Sequence, residues 1–380
     1  MPTKLLCIAG ARPNFMKIAP LMRVLRANAE NGKWDARLVH TGQHYDAAMS
    51  KVFFDDLAIP RPDIELEVGS GSHAAQTAEI MKRFEPVIVT EQPQGVIVVG
   101  DVNSTIACAI VTAKFTLEKS FPSTFGERRR PIMIHVEAGL RSFDDDMPEE
   151  INRKLTDAIS DVLFVSDPAG VENLAKEGVA KERVFFVGNV MIDTLLAAKG
   201  QAMESRVLET LGVREKEYAL LTLHRPSNVD DPKTLGPLLA TIDAIAKKVR
   251  VVFPVHPRTR ARIASSGITL DPSRWSVVEP FGYLDFLKLT ASAKVVLTDS
   301  GGIQEETTVL GVPCITLREN TERPVTITEG TNVLAGTKRE AILAAYERFQ
   351  TSPPSGRAPR FWDGKSAQRI DEALSTIFRH

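Results

Sequence analysis

A chain of 380 residues has room for two α/β domains of about 150–200 residues each, and its 43% hydrophobic and 25% charged residues are an ordinary globular balance. Lys+Arg (47) and Asp+Glu (48) nearly cancel to a net charge of −1, so no overall field favours nucleic acid or an anionic membrane, and a bound anion requires a local pocket. The three cysteines, Cys7, Cys108 and Cys314, lie in apolar runs with no CxxC or Cys/His spacing, which reads as buried, reduced thiols and excludes a zinc cluster of that kind.

The N-terminal MPTKLLCIAGARPN enters a strand pattern at once, with no apolar h-region and cleavage site. No apolar stretch reaches the ~18 residues of a membrane-spanning helix. The expectation is a cytoplasmic protein with no membrane partner.

Short, continuously apolar runs then alternate with amphipathic stretches. Residues 5–10, 36–42, 95–101, 131–139, 161–167 and 184–189 read as strands buried on both faces. Residues 190–213 look helical and connect to a second series at 218–225, 249–256, 275–280, 293–301, 313–319 and 331–336. This rhythm predicts two doubly wound, Rossmann-like sheets. Two segments interrupt it. Residues 119–131, KSFPSTFGERRRP, read as a basic surface insertion, and the Pro/Gly-rich residues 351–364 as a connector before a final helix. The expected division is 1–185 with 365–380 packing back on it, and 186–364.

Sheets of this kind bind ligands at the carboxyl ends of their strands, so the polar residues following each run carry the information. Gly10-Ala11-Arg12-Pro13, with Lys17 beyond, is either a phosphate site at a helix N-terminus or a plain turn with surface cations; it lacks GxGxxG. Asp101 is either an N-cap for a helix over 104–116 or an active-site carboxylate. His135 and Glu137 lie two apart in a buried strand and are expected on one side, as a structural pair or as functional groups. Glu149, Arg153 and Asp157 follow at i, i+4 and i+8, near one helix face, as a solvated ion-pair surface or part of a site.

In the second half, His224 with Arg225 ends one strand and His256 another, suiting phosphate binding or proton transfer. His40, His44 and His73 read as structural. Thr298-Asp299-Ser300-Gly301-Gly302 leads from a strand into a helix, a turn whose backbone N–H groups can approach phosphate oxygens closely. Glu306 on that helix is placed to accept ribose hydroxyls, and Arg318 and Arg323 add positive charge.

Taken together, GARPNFMKIAPL, TGQH, VVGD, HVEAGLRS, MPEEINRKLTD, VGNVMIDTL, LTLHR, PVHP, TDSGGIQEE and NTERPVTITEGTN run in order from residue 10 to residue 332. The chain thereby resembles the non-hydrolysing UDP-N-acetylglucosamine 2-epimerases. The resemblance implies a GT-B-like pair of Rossmann-type domains with an interdomain active-site cleft, a homodimer, and a terminal helix returning to the first domain. It implies reversible conversion of UDP-GlcNAc to UDP-ManNAc by anti-elimination of UDP, through 2-acetamidoglucal, with no metal or redox cofactor. It carries acid/base roles to Asp101, Glu137 and Glu149, and a functional role to His224. Arg12, Lys17 and Arg153 match the family's cleft cations; Ser300, Gly301 and Glu306 match its nucleotide site, and Arg323 a further ligand contact.

Three features depart from the family pattern. Asn14 stands where the first motif often has Glu. The stretch 142–147, flanking the sugar pocket, is short, which leaves a modified UDP-N-acetyl sugar open. Many bacterial members bind a second, allosteric UDP-GlcNAc through a QHRxM segment, of which Gln43-His44-Tyr45-Asp46 keeps the first two residues.

Overall fold

The computed structural model describes residues 2–29, 32–42, 57 and 59–380, with only the backbone of Arg12 and Pro13. The Gln43–Asp46 segment and the Arg12 side chain therefore lie outside the described residues.

Each of the twelve apolar runs forms a strand. The first sheet contains β1 (Thr3–Ala9), β2 (Trp34–His40), β3 (Ile64–Glu65), β4 (Gly95–Val99), β7 (Ile132–Ala138), β8 (Val162–Val165) and β9 (Val184–Phe186), in the order β3-β2-β1-β4-β7-β8-β9. The second contains β10 (Tyr218–Thr222), β11 (Arg250–Pro254), β12 (Trp275–Val278), β13 (Val295–Thr298), β14 (Cys314–Thr316) and β15 (Asn332–Leu334), in the order β12-β11-β10-β13-β14-β15. All pairings within both are parallel. The apolar runs are unbroken because helices cover both faces. Both sheets reverse strand order beside their first strand, at β1/β4 and β10/β13, and leave a crevice at that point. The basic segment after residue 119, expected as a surface insertion, forms a small antiparallel hairpin, β5 (Phe121–Ser123) and β6 (Gly126–Arg128).

In the first half, α1 (Arg12–Ala27), α2 (His73–Glu91), α3 (Asn103–Lys114), α4 (Pro148–Ile159), α5 (Pro168–Lys176) and α6 (Val190–Met203) accompany the strands. Two of these helices start with ordinary side-chain caps: Ser72 Oγ accepts the Ala75 N–H, and Asp167 accepts the Gly170 N–H. Val102, rather than Asp101, takes the N-cap position of α3. The second half carries α7 (Val207–Leu211), α8 (Pro226–Val229), α9 (Pro232–Ala246), α10 (Pro257–Ser265), α11 (Tyr283–Ser292), α12 (Gly301–Leu310), α13 (Val325–Thr328) and α14 (Arg339–Thr351), followed by α15 (Ser366–Ile377).

The chain divides into Met1–Thr194 with Arg360–His380, and Leu195–Pro359. The returning segment is fastened to the first unit by polar contacts. Asp371 accepts from Trp34 Nε1 (2.6 Å), Lys33 Nζ (2.9 Å) and Asn28 Nδ2 (3.1 Å). Asp193 accepts the Ser366 and Ala367 N–H groups at the start of α15 (3.1 and 2.7 Å), supplying from α6 the cap that α15 lacks locally. In the second unit, fully buried Leu221, Phe253, Leu297 and Ile315 belong to one core cluster, each worth about 1.5–3 kcal/mol of burial. Cys7, Cys108 and Cys314 are buried free thiols, and burial raises the pKa of Cys7 and of Cys314 to about 12. No helix among the described residues is long and apolar enough to cross a membrane.

Candidate active site

In the first unit, β1, β4 and β7 deliver their C-terminal residues to one place. Asn14, 2% exposed, ties two of these ends together. Its Oδ1 accepts the Gly10 and Ala11 N–H groups (3.1 and 3.0 Å), and its Nδ2 donates to the Val99 carbonyl (2.9 Å). One turn along α1, buried Lys17 lies 2.7 Å from Glu137 Oε1. Gly100, at φ +66°, leaves the room Lys17 needs: a Cβ there would stand 2.9 Å from Nζ.

Glu137 itself sits at φ +72°, where the pairing of β7 with β8 shifts register between Val136 and Ala138. A bulge redirects a side chain, and here it breaks the simple alternation. His135 and Glu137 therefore do not form the pair that their spacing suggested. His135 instead faces Asp157 through Nδ1 (2.7 Å) and the Gly100 carbonyl through Nε2 (2.8 Å), while Glu137 meets Lys17. Asp157 also receives Arg141 (2.7 Å) and the Gly139 N–H (3.0 Å). Burial alone would raise the Asp157 pKa, but His135 and Arg141 beside it hold the carboxyl below its ordinary value.

The helix α4 likewise departs from the expected single ion-pair face. Arg153, 2% exposed, bridges the carboxylates of Asp101 and Glu150. Glu150 is fully buried and accepts the Ser142 and Phe143 N–H groups (3.0 and 3.1 Å), so the short stretch beside α4 is fixed to the same arginine. Asn152 donates to the Asp101 carbonyl (2.9 Å). Glu149 is half-buried, one residue before the carboxylate that carries these contacts. The first unit thus groups Lys17, Glu137, Asp101 and Arg153, and adds Glu150, which the sequence reading did not single out.

In the second unit the corresponding reversal lies between β10 and β13. His224 follows β10, and Asp299 follows β13. His224 Nδ1 is 2.8 Å from Asp299 Oδ1, with the imidazole 54% exposed and the carboxylate wholly buried. Asp299 also accepts the backbone N–H groups of His224 (3.1 Å) and Arg225 (2.9 Å). Burial works against its ionisation, but His224 and these N–H groups outweigh that and hold the pKa below the ordinary range. Asp299 is thus a second site residue that sequence reasoning passed over as part of a turn.

Ser300 is the N-cap of α12 by position, without a capping bond from its side chain. Arg323 runs along the start of this helix, where a Cβ on Gly301 would lie 3.1 Å from Nη1, and its Nε lies 2.9 Å from Glu305 Oε1. Glu306, 4% exposed, lies 3.5 Å from the Tyr283 hydroxyl. Burial, with Glu305 adding to it, raises its pKa to about 8, so its carboxyl is largely protonated at neutral pH. Arg318, the other cation expected here, is bound to Glu322 (2.8 Å) and Asn320 (2.8 Å). His256 caps α10, its Nδ1 accepting the Arg258 N–H (3.3 Å). No cluster of three or more metal-ligating side chains occurs among the described residues.

Two Rossmann-like parallel sheets, each with charged side chains at its switch point, define the class of two-domain, GT-B-like α/β proteins. The profile of the family described as UDP-N-acetylglucosamine 2-epimerase matches residues 26–375. The chain is 39% identical over 382 residues to the UDP-N-acetylglucosamine 2-epimerase of Methanocaldococcus jannaschii, covering 98% of this chain and 99% of that one. A solved structure of the Methanocaldococcus jannaschii enzyme, in complex with UDP-GlcNAc and UDP, superposes with a TM-score of 0.87 at 38% identity, over 98% and 99% of the two chains. The UDP-2,3-diacetamido-2,3-dideoxy-D-glucuronate 2-epimerase of Pseudomonas aeruginosa is 38% identical, over 98% of this chain and all of its own length. The chain belongs to the UDP-N-acetylglucosamine 2-epimerase family and is an epimerase.

Proposed function

We propose that this protein interconverts UDP-GlcNAc and UDP-ManNAc without net hydrolysis. A carboxylate removes the C2 proton, the C1–O bond breaks with its electron pair leaving on UDP, and 2-acetamidoglucal forms. UDP then re-adds at C1 while a proton returns to the opposite face of C2. The intermediate loses the C2 stereocentre by elimination, so the route calls for neither a metal nor a redox cofactor.

The observation that carries this reading is that two ion pairs, Lys17–Glu137 and Asp101–Arg153, lie at the first switch point, with Lys17 against Gly100, the residue before Asp101. Proton transfer at a weakly acidic carbon needs positioned acid and base groups. Asp101, Glu137 and Glu149 are the proposed acid/base carboxylates, with Lys17 and Arg153 positioning them and Arg12 completing the cationic set. Charge growing on the departing UDP is stabilised by His224, Arg323 and the N–H groups after Ser300 and Gly301, and Glu306 takes the ribose. The bound species proposed are UDP-GlcNAc, UDP-ManNAc and UDP.

Proton NMR of the protein with UDP-GlcNAc in heavy water tests the reading. The expected result is deuterium at C2 in both epimers, no acceptor required, and UDP-sugar conserved. Stoichiometric release of free UDP and N-acetylmannosamine would instead identify a hydrolysing epimerase. Asp101→Asn is expected to keep UDP binding and lose exchange. The similarity to the Pseudomonas aeruginosa enzyme favours one second reading, a UDP-N-acetyl sugar with further substituents, tested by comparing kcat/KM for the two substrates.

The assembly proposed is a homodimer, supported by Ile151 and Leu155, which stand 48% and 50% exposed one turn apart on α4. Light scattering behind size exclusion measures it. The compartment proposed is cytoplasmic. A second, allosteric UDP-GlcNAc is retained as a proposal on Gln43-His44 alone, and a hyperbolic dependence of rate on UDP-GlcNAc would remove it.

A further inference from the structure

The basic hairpin β5–β6 plays no part in the chemistry above, yet it builds a pocket. A cavity of about 450 Å³ is lined by Phe125, Arg128 and Arg130 from this segment, and by Asp161 and Arg183 from elsewhere in the first unit. Its size falls within the roughly 300–1,000 Å³ of small-molecule sites. The hairpin is anchored rather than loose. Phe121 is 7% exposed and stacks on Phe378 (6.1 Å), and the Thr124 N–H donates to the Ile377 carbonyl (2.9 Å).

Two guanidinium groups share one carboxylate here, and a third, that of Arg183, lines the same pocket. Asp161 Oδ1 takes both Arg128 Nη2 (2.9 Å) and Arg130 Nη2 (2.7 Å), and Oδ2 takes the Met133 N–H (2.9 Å). Arg130 Nη1 reaches the Ala113 carbonyl (3.3 Å), and Arg183 Nη2 the Ser160 carbonyl. Such contacts to the last turns of α3 and α4 use one donor of each arginine, and guanidinium has five. The Nε groups of Arg128 and Arg183 are buried with no hydrogen-bond partner among the described residues. A buried donor left unsatisfied costs about 1–3 kcal/mol, and clustered like charges add to that. An oxyanion with several acceptor oxygens would relieve both costs.

We propose that this pocket binds a phosphate group, either free or as the monoester of a small molecule. Fork-shaped guanidinium groups match phosphate oxygens in pairs.

Hydrogen exchange of the full chain, read by mass spectrometry on peptides covering 121–130 and 181–186, tests it with inorganic phosphate, glucose 1-phosphate and acetate as probes. Local reading separates this pocket from anion binding at the second unit's nucleotide site. Exchange in both segments is expected to slow about fivefold at four times Kd. Slowing by inorganic phosphate identifies the free ion as sufficient; slowing by glucose 1-phosphate alone identifies an ester. Arg130→Gln with Arg183→Gln is expected to abolish the effect while epimerase turnover persists. No slowing by either phosphate at about 20 mM, equal slowing by acetate, or slowing retained in the double variant overturns the proposal.

Discussion

The buried carboxylate of Asp299 holds His224 by two routes, its side-chain Nδ1 at 2.8 Å and its backbone N–H at 3.1 Å. One residue thus sets both the height of the β10 end and the direction of an imidazole that is half exposed. A carboxylate facing one ring nitrogen fixes the tautomer presented by the other. Asp299→Asn keeps the size but loses the charge, and kcat is expected to fall about 100-fold with UDP affinity changed far less. Steady-state rates with UDP binding by calorimetry separate the two. A parallel loss of UDP binding would mean that Asp299 shapes the nucleotide site itself.

Glu306 gives the second unit a pH-dependent stability. Its folded pKa of about 8 lies above the ordinary carboxyl value, so the folded state holds a proton that the unfolded state has released. The stabilisation is complete below the unfolded pKa and is lost as pH rises toward 8, at a slope of about 1.4 kcal/mol per pH unit for one proton. Denaturant titrations from pH 5 to pH 8 should show this slope, and Glu306→Gln should flatten it. If Glu306 takes ribose hydroxyls as an ionised acceptor, UDP binding at pH 7 releases a proton. The binding enthalpy then varies with buffer ionisation heat.

The Lys17–Glu137 pair separates stability from catalysis. Lys17→Met removes the ammonium that faces Glu137 in a buried site, and taking one member from such a pair costs about 3–5 kcal/mol. Adding Glu137→Gln should recover part of that stability and none of the turnover. Recovery of activity in the double variant would remove Glu137 from the chemistry.

Gly100 is a steric gate for the same lysine. Alanine at its φ of +66° costs about 1–2 kcal/mol in backbone strain, and the new methyl would press on Lys17 Nζ at 2.9 Å. Gly100→Ala is therefore expected to lower kcat more than Lys4→Ala, a change elsewhere in the same unit, while its melting temperature falls by only a few degrees.

Strand periodicity was readable because a parallel sheet covered on both faces needs unbroken apolar runs, and all twelve runs became strands. The polar residues after them were readable for a related reason, since charge at a strand end is seldom idle. What stayed hidden depended on contacts across the chain. The bulge at Glu137 is not encoded in the spacing of His135 and Glu137, yet it sends one toward Asp157 and the other toward Lys17. Glu149 and Glu150 are adjacent and alike in sequence. Only the fold buries Glu150 against Arg153 and the Ser142 and Phe143 amides. Asp299 looked like turn punctuation because its partner His224 is 75 residues earlier. The hairpin at 121–128 was too short and too polar to announce itself by alternation.

The fastening of α15 to the first unit bears on synthesis. Residues 195–359 are contiguous and can fold as they leave the ribosome. The first unit is completed last, because Trp34 and Asp193 meet their partners in residues 366–371 only after the entire second unit has been translated. A chain released by a premature stop near residue 359 would hold every element of the second unit, while the first would lack the helix that Asp193 caps and that carries Asp371.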